Sequence, residues 1–223
     1  MKVLIFGATG MVGQGVLREC LRSPDVEVVA AVGRSKAGAR DPKLREILCA
    51  DMGDLRAVEA ELTGFDACFF SLGVSSGGMK EAAYERITYG FTLAAAEALS
   101  RLNPGMTFIY VSGAGTDSSE KGRVMLARIK GRTENALLRL PLKAYMFRPG
   151  LIQALDGIQS RTPVYRFFYK FAKPLLPLLH WALPNQVLST RDIGQAMLAV
   201  ARHGYEKRIL ETSNIRAAVR GAA

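Results

Sequence analysis

The amino-acid sequence predicts a doubly wound α/β fold, a parallel sheet covered by helices on both faces, and three observations carry that expectation. Short apolar runs alternate with longer helical stretches through most of the chain, as strands joined by crossover helices would. The first run ends in a glycine-rich turn, IFGATGMVG, that opens a helical stretch. At 223 residues and 49% hydrophobic content, the chain can bury one substantial core and has no need of two separate domains.

Taken in order, Val3 to Phe6 reads as the first strand and Met11 to Leu21 as the first helix. Val26 to Val32 and Ile47 to Ala50 are the next buried strands, Leu55 to Leu62 a short helix, and Ala67 to Ser71 a fourth strand. The long apolar pattern from Glu81 to Leu102 predicts a helix, Thr107 to Ser112 a strand, Val124 to Leu140 a helix and Ala144 to Phe147 a sixth strand. Right-handed crossovers between parallel strands then wind the sheet in both directions.

The pattern changes after Pro149-Gly150. From Pro163 to Pro184 the chain reads PVYRFFYKFAKPLLPLLHWALP, rich in aromatic residues and leucine and broken by prolines. One domain over residues 1–223 is expected, with 151–190 as a small C-terminal lobe on the substrate side or at an interface. Its apolar runs are too short and too charged to span a membrane. Arg166, Lys170 and Lys173 fall at helical spacing along one face, so a peripheral membrane helix is one reading; a flap over the substrate, or a subunit contact, is the favoured one. A helix from Arg191 to His203, capped by Ser189 or Thr190, and a strand from Arg208 to Glu211 complete the expected elements.

Composition excludes several classes. The net charge of +10 and pI near 9.8 favour an anionic partner, but the arginines are scattered, and no basic stripe interleaved with aromatics speaks for nucleic acid. Cys20, Cys49 and Cys68 are far apart and each lies in an apolar run, so they read as reduced core residues. MKVLIFGATG passes from a short apolar run straight into the glycine turn and reads as a buried strand rather than a signal peptide. Together these predict a cytoplasmic protein. Two histidines, His180 and His203, and no clustered acids argue against a metal site.

The glycine turn carries the strongest chemical signal. Gly7 permits a tight turn, Gly10 lets the backbone approach a pyrophosphate, and Gly13 allows close helix packing; Thr9, Met11 and Val12 complete the turn whose amides face the phosphates. At the end of the second strand, where an NAD site places an acid for the ribose hydroxyls, the chain has Arg34, with Ser35 and Lys36 after it. A cation there suits a 2′-phosphate, so NADP(H) is preferred over NAD(H); the alternative is a solvated loop arginine. Asp51 and Met52, after the third strand, are placed to bracket the adenine.

IFGATGMVG, GRS, DM, SLG, VSG, the lysine of ARIKGRTEN and FRPG occur in that order. This series resembles the short-chain dehydrogenase/reductase superfamily with its NAD(P)-binding Rossmann fold, and within it the atypical NmrA-like and Tat-interacting-protein-like branch, often labelled nucleoside-diphosphate-sugar epimerases. The resemblance runs from Met1 to about Gly150 and more loosely to the helix at Arg191. It implies that Ser71, Leu72 and Gly73 line the cofactor, that Ser112 is the catalytic serine holding a substrate carbonyl or hydroxyl, and that Lys130 is the catalytic lysine binding the nicotinamide ribose. It further implies that Arg148, Pro149 and Gly150 pack along the nicotinamide. Outside the resemblance, Ser112 is a strand-end turn residue and Lys130 a surface lysine. VSGAG does not suit a hydrolase, whose nucleophile sits between its glycines.

One departure stands out. The tyrosine of the family's YxxxK motif belongs four residues before Lys130, and that position is Leu126; Thr88 stands where extended members often have asparagine. Tyr84, Tyr89, Tyr165, Tyr169 and His180 are the candidates for a substitute proton donor. The expected function is an NADP(H)-dependent oxidoreductase or epimerase-like enzyme acting on an unidentified small-molecule substrate. The alternative is a non-catalytic NADP(H)-sensing regulator, and a homodimer is implied for either. Strict sugar-nucleotide epimerisation fits less well, because it relies on the missing tyrosine and a larger substrate domain.

Overall fold

The computed structural model describes residues 1–158 and 187–221. Seven strands form one sheet in the order β3-β2-β1-β4-β5-β6-β9, and every neighbouring pair is parallel. They are β1 (Lys2–Phe6), β2 (Val28–Gly33), β3 (Leu44–Leu48), β4 (Ala67–Phe70), β5 (Thr107–Val111), β6 (Lys143–Arg148) and β9 (Ile209–Glu211). The chain order reverses between β1 and β4, which opens a crevice at the carboxyl ends of those two strands. The expected doubly wound α/β fold is the observed one.

Strand residues alternate between two cores, because successive side chains leave opposite faces of a strand. Val3, Ile5, Val29, Phe69 and Phe147 pack on one face with α1 (Met11–Arg22), α5 (Thr190–His203) and α6 (Thr212–Arg220). Leu4, Phe6, Val32, Phe70 and Phe108 pack on the other with α3 (Phe91–Leu102) and α4 (Met125–Leu138). On that second face Phe6, Phe70 and Phe108, from three adjacent strands, stack in a row with centroids 5.2 and 5.8 Å apart. Cys20, Cys49 and Cys68 are buried free thiols.

Several boundaries differ from the sequence reading. The helix expected over Glu81 to Leu102 is broken into α2 (Glu81–Glu85), a π-turn (Arg86–Gly90) and α3; such turns insert one residue into the helical ladder and re-aim the side chains beside it. Arg56–Leu62 is a 3₁₀ helix rather than an α-helix. Strand β3 (Leu44–Leu48) starts three residues and ends two residues before the apolar run Ile47 to Ala50, because an edge strand with one solvated face alternates instead of running apolar. Ser189 is the cap of α5, in a reciprocal pair: its Oγ accepts from Asp192 N–H and Asp192 Oδ2 accepts from Ser189 N–H.

Sequence reasoning missed α6 and a second, two-stranded sheet of β7 (Leu151–Gln153) and β8 (Val187–Ser189). These strands are three residues long and lack a readable alternation. The aromatic stretch from Pro163 to Pro184, with Tyr165, Tyr169 and His180, lies outside the described residues.

Candidate dinucleotide and substrate cleft

The turn after β1 is built by its glycines. Gly7 has φ of 83°, a conformation costly for any residue with a side chain, and its carbonyl accepts from Gly10 N–H at 2.9 Å. A Cβ on Gly7 would lie 2.6 Å from the Leu72 nitrogen, and one on Gly13 only 2.0 Å from the Gly7 oxygen. The first contact brings the loop after β4 against the turn, where Ser71 N–H and Oγ–H both donate to Phe6 O. The second lets α1 start directly under the turn. Gly10 caps α1 without a side-chain hydrogen bond, and the first turn holds no acid, so its amides and positive dipole end are left for an anion.

A cleft of about 780 Å³ opens over this turn, a size usual for small-molecule sites. Along it lie Gly7 to Val12, Arg34, Ser35, Met52, Ser71 to Gly73, Thr88, Ser112 and Lys130. The structure thus gathers residues from five strand ends. Gly13 supports the turn from below. Asp51 is exposed, and its Oδ1 accepts from Gly53 N–H at 2.8 Å, so its carboxylate closes a local turn outside the cleft wall. Arg34 is exposed, and no described residue pairs with its guanidinium.

Ser112 and Lys130 stand together on the wall of the same cleft. Ser112, 3% exposed, directly follows β5; its Oγ–H donates to Glu134 Oε1 at 2.5 Å, with Phe147 O at 3.1 Å. Lys130, on α4, donates through Nζ to the main-chain oxygen of Ser112. Burial pulls the Lys130 ammonium below its ordinary pKa, and the Glu134 carboxylate one turn along α4 opposes that shift. Gly113 follows with φ of 133°, and a Cβ there would meet Lys130 Nζ at 3.3 Å.

Arg148, Pro149 and Gly150 do not line this cleft. Arg148 is committed to Glu134, Glu211 and Ser118. Pro149 O accepts from Ala114 N–H, and Gly150 N–H donates to Thr212 Oγ1. They brace the end of β5 from behind, whereas the resemblance put them on the nicotinamide. Leu126 is half-buried on α4 and also stands off the cleft.

Of the candidate donors, Tyr84 lines the cleft, whereas Tyr89 lies under the Arg132 guanidinium at 4.5 Å. Tyr110 is a second phenol on the wall, its pKa driven up by burial and then by Tyr84 and Glu134. Sequence reasoning missed Glu134. The signal was present in ARIKGRTEN, since a glutamate four residues after Lys130 shares its helix face. Among the described residues no three His, Cys, Asp or Glu side chains are grouped to hold a metal ion, and no helix is long and apolar enough to cross a membrane.

The cleft suits a dinucleotide on two structural counts. Its floor is a glycine cradle that a Cβ would fill, and the Thr88 hydroxyl, buried on its wall, has no hydrogen-bond partner among the described residues. Fold and cleft together define a dinucleotide-binding protein of the Rossmann type. The chain belongs to the NAD(P)H-binding family, whose model matches residues 7–152, and this agrees with the resemblance to atypical short-chain dehydrogenases/reductases.

Among its relatives is the mitochondrial protein FMP52-2 of Scheffersomyces stipitis, 30% identical over 66% of this chain and 65% of the relative, so the match spans a little under two-thirds of that protein's length. FMP52-1 of the same yeast, also mitochondrial, is 23% identical over 93% of this chain and 91% of its own. The Bordetella bronchiseptica enzyme WbmF, solved with NAD+ and UDP, shares the fold at a TM-score of 0.70 and 15% identity, over 99% of this chain and 76% of WbmF. A short-chain dehydrogenase family protein from Francisella tularensis superposes at 0.67 and 12% identity, covering 97% and 98%. The relatives overturn the cytoplasmic expectation, since they are mitochondrial by name. Reduced cysteines report a redox environment, not a compartment.

Proposed function

We propose that the protein is an NADP(H)-dependent oxidoreductase or epimerase-like enzyme acting on a small substrate, without the usual catalytic tyrosine. The observation that supports this reading is a single cleft running from the glycine turn and Arg34 to Ser112 and Lys130. The amides of Gly10 to Val12 would hold the pyrophosphate, Arg34 and Ser35 the 2′-phosphate, and Lys130 the nicotinamide ribose. Bound there, the dinucleotide supplies hydride chemistry. Ser112 orients the substrate, and Tyr84 is the described phenol best placed to exchange a proton at that end. A homodimer is part of the proposal.

The test is a titration of purified protein with NADPH and NADH, wild type beside Arg34→Ala, followed by nicotinamide fluorescence. NADPH is expected to bind more tightly to the wild type, and Arg34→Ala to cut that selectivity about tenfold, the worth of a charge-assisted hydrogen bond. Equal affinity for both dinucleotides in the wild type would remove the NADP(H) assignment.

Leu126 favours a second reading, a regulator that senses NADP(H) without turning substrate over. General acids typically contribute about 10² to 10⁴-fold, so losing one slows a reductase without abolishing hydride transfer. Turnover that disappears in Ser112→Ala would eliminate the regulator; dinucleotide binding with no hydride transfer across a broad substrate panel would favour it.

A further inference from the structure

Glu134 lies on α4 beneath the Ser112 and Lys130 end of the cleft and is completely buried. Its carboxylate is gripped by Arg148, whose Nε donates to Oε1 at 3.0 Å and whose Nη2 donates to Oε2 at 2.5 Å. This two-pronged arrangement matches a guanidinium to a carboxylate anion. The Ser112 hydroxyl meets the same carboxylate at 2.5 Å and the main-chain oxygen of Phe147 at 3.1 Å.

A carboxylate and a carbonyl oxygen only accept, and a hydroxyl carries one proton. Whichever neighbour takes that proton, Ser112 has none left to aim into the cleft. It shows the ligand a lone pair. Lys130 supplies the opposite polarity: with one N–H spent on Ser112 O, an ammonium still has two others to give.

We propose that Glu134 sets Ser112 as a hydrogen-bond acceptor, so that this end of the cleft seats the hydroxyl of an alcohol in preference to the oxygen of a carbonyl compound. The inference rests on reading the cleft as a dinucleotide and substrate site, and it narrows the substrate to a hydroxyl-bearing one. An alcohol finds an acceptor at Ser112 and a donor at Lys130. A ketone finds the donor alone and leaves the Ser112 lone pair facing another acceptor. Glu134 touches no ligand; it is a positioning residue that acts through Ser112.

The test uses matched probes, cyclohexanol against cyclohexanone and cyclopentanol against cyclopentanone, titrated by ligand-observed NMR into the full-length protein with NADP+ present. The alcohol of each pair is expected to bind about fivefold or more tightly, and the preference to fall below about twofold in Ser112→Ala, since one neutral hydrogen bond is at stake. Glu134→Gln offers Ser112 Oγ an amide N–H that takes up one of its two lone pairs, and the preference is expected to weaken, an effect that general loosening of the fold would not produce. If that variant does not fold, Ser112→Ala decides alone.

Ketones binding as tightly as alcohols, a preference that survives in Ser112→Ala, or no binding by either member would each overturn the proposal. An NADPH titration of the wild type runs alongside. Dinucleotide binding without an alcohol preference removes this inference only, whereas no dinucleotide binding removes the proposed function and this inference with it.

Discussion

Thr88 is 5% exposed, and its Oγ1 finds no partner among the described residues, while four residues on Thr92 Oγ1 donates to Thr88 O at 2.6 Å. A buried polar group left unpaired costs about 1 to 3 kcal/mol, whereas a made hydrogen bond contributes about 1. Thr88→Val is therefore expected to leave the melting temperature of the ligand-free protein unchanged or to raise it, and Thr92→Val to lower it; differential scanning calorimetry of the two variants checks both signs. The contrast shows what was legible at this scale. Motif order put Ser112 and Lys130, and position at a strand end put Arg34, on one cleft, and all three line it. Glu134 was passed over because its spacing from Lys130 gives a shared helix face but not its burial against Arg148 of β6. Asp51 was assigned by position, and its turn onto Gly53 N–H is a local choice that position does not encode.

Among the elements, the glycine turn makes the sharpest prediction. A methyl on Gly13 would collide with the Gly7 carbonyl at 2.0 Å, while one on Gly10 would meet the same oxygen at a tight but adjustable 3.3 Å. Gly13→Ala should lower the melting temperature of the free protein markedly more than Gly10→Ala, because only the first must move backbone. Equal losses would mean that the turn yields more easily than its geometry implies. The central strands were readable because they are buried on both faces and run apolar. The edge strand β3 and the short β7 and β8 were not, having either an alternating or an uninformative pattern. The π-turn had no proline to announce it, and it is the break that sets Arg86, Ile87 and Thr88 along the cleft wall.

At the scale of the whole molecule, the first and last thirds of the chain are clamped together. Helix α5 crosses α1 where Gly15 faces Thr190 and Gly194 faces Glu19, so closely that a Cβ on either glycine would lie within 3.0 Å of a neighbour. At the far end of α5, Arg202 donates to both oxygens of Asp25 at 2.8 and 2.6 Å, and Ser23 Oγ–H donates to one of them. These bonds lower the Asp25 pKa from 3.8 to about 2. A depressed folded-state value means that the contribution is present above the ordinary carboxylate pKa and is lost as pH falls through the folded one. Arg202→Ala should melt below the wild type at neutral pH, and the gap should close as pH drops from about 4 to about 2, read by circular dichroism. The pair is partly exposed, so the gap will be modest.

Strands β7 and β8 pair side by side, Leu151 opposite Val187. The chain therefore leaves one end of a short parallel ladder beside the main sheet and comes back in at the other, like a rope made fast at a single cleat. Closing a longer excursion there costs little, about 0.6 kcal/mol for each doubling of its length. Because Leu151 pairs with Val187 and Gln153 with Ser189, both ends of residues 154–186 are fixed beside the main sheet, and a change in the length of that stretch is expected to leave the seven strands and the dinucleotide turn in register.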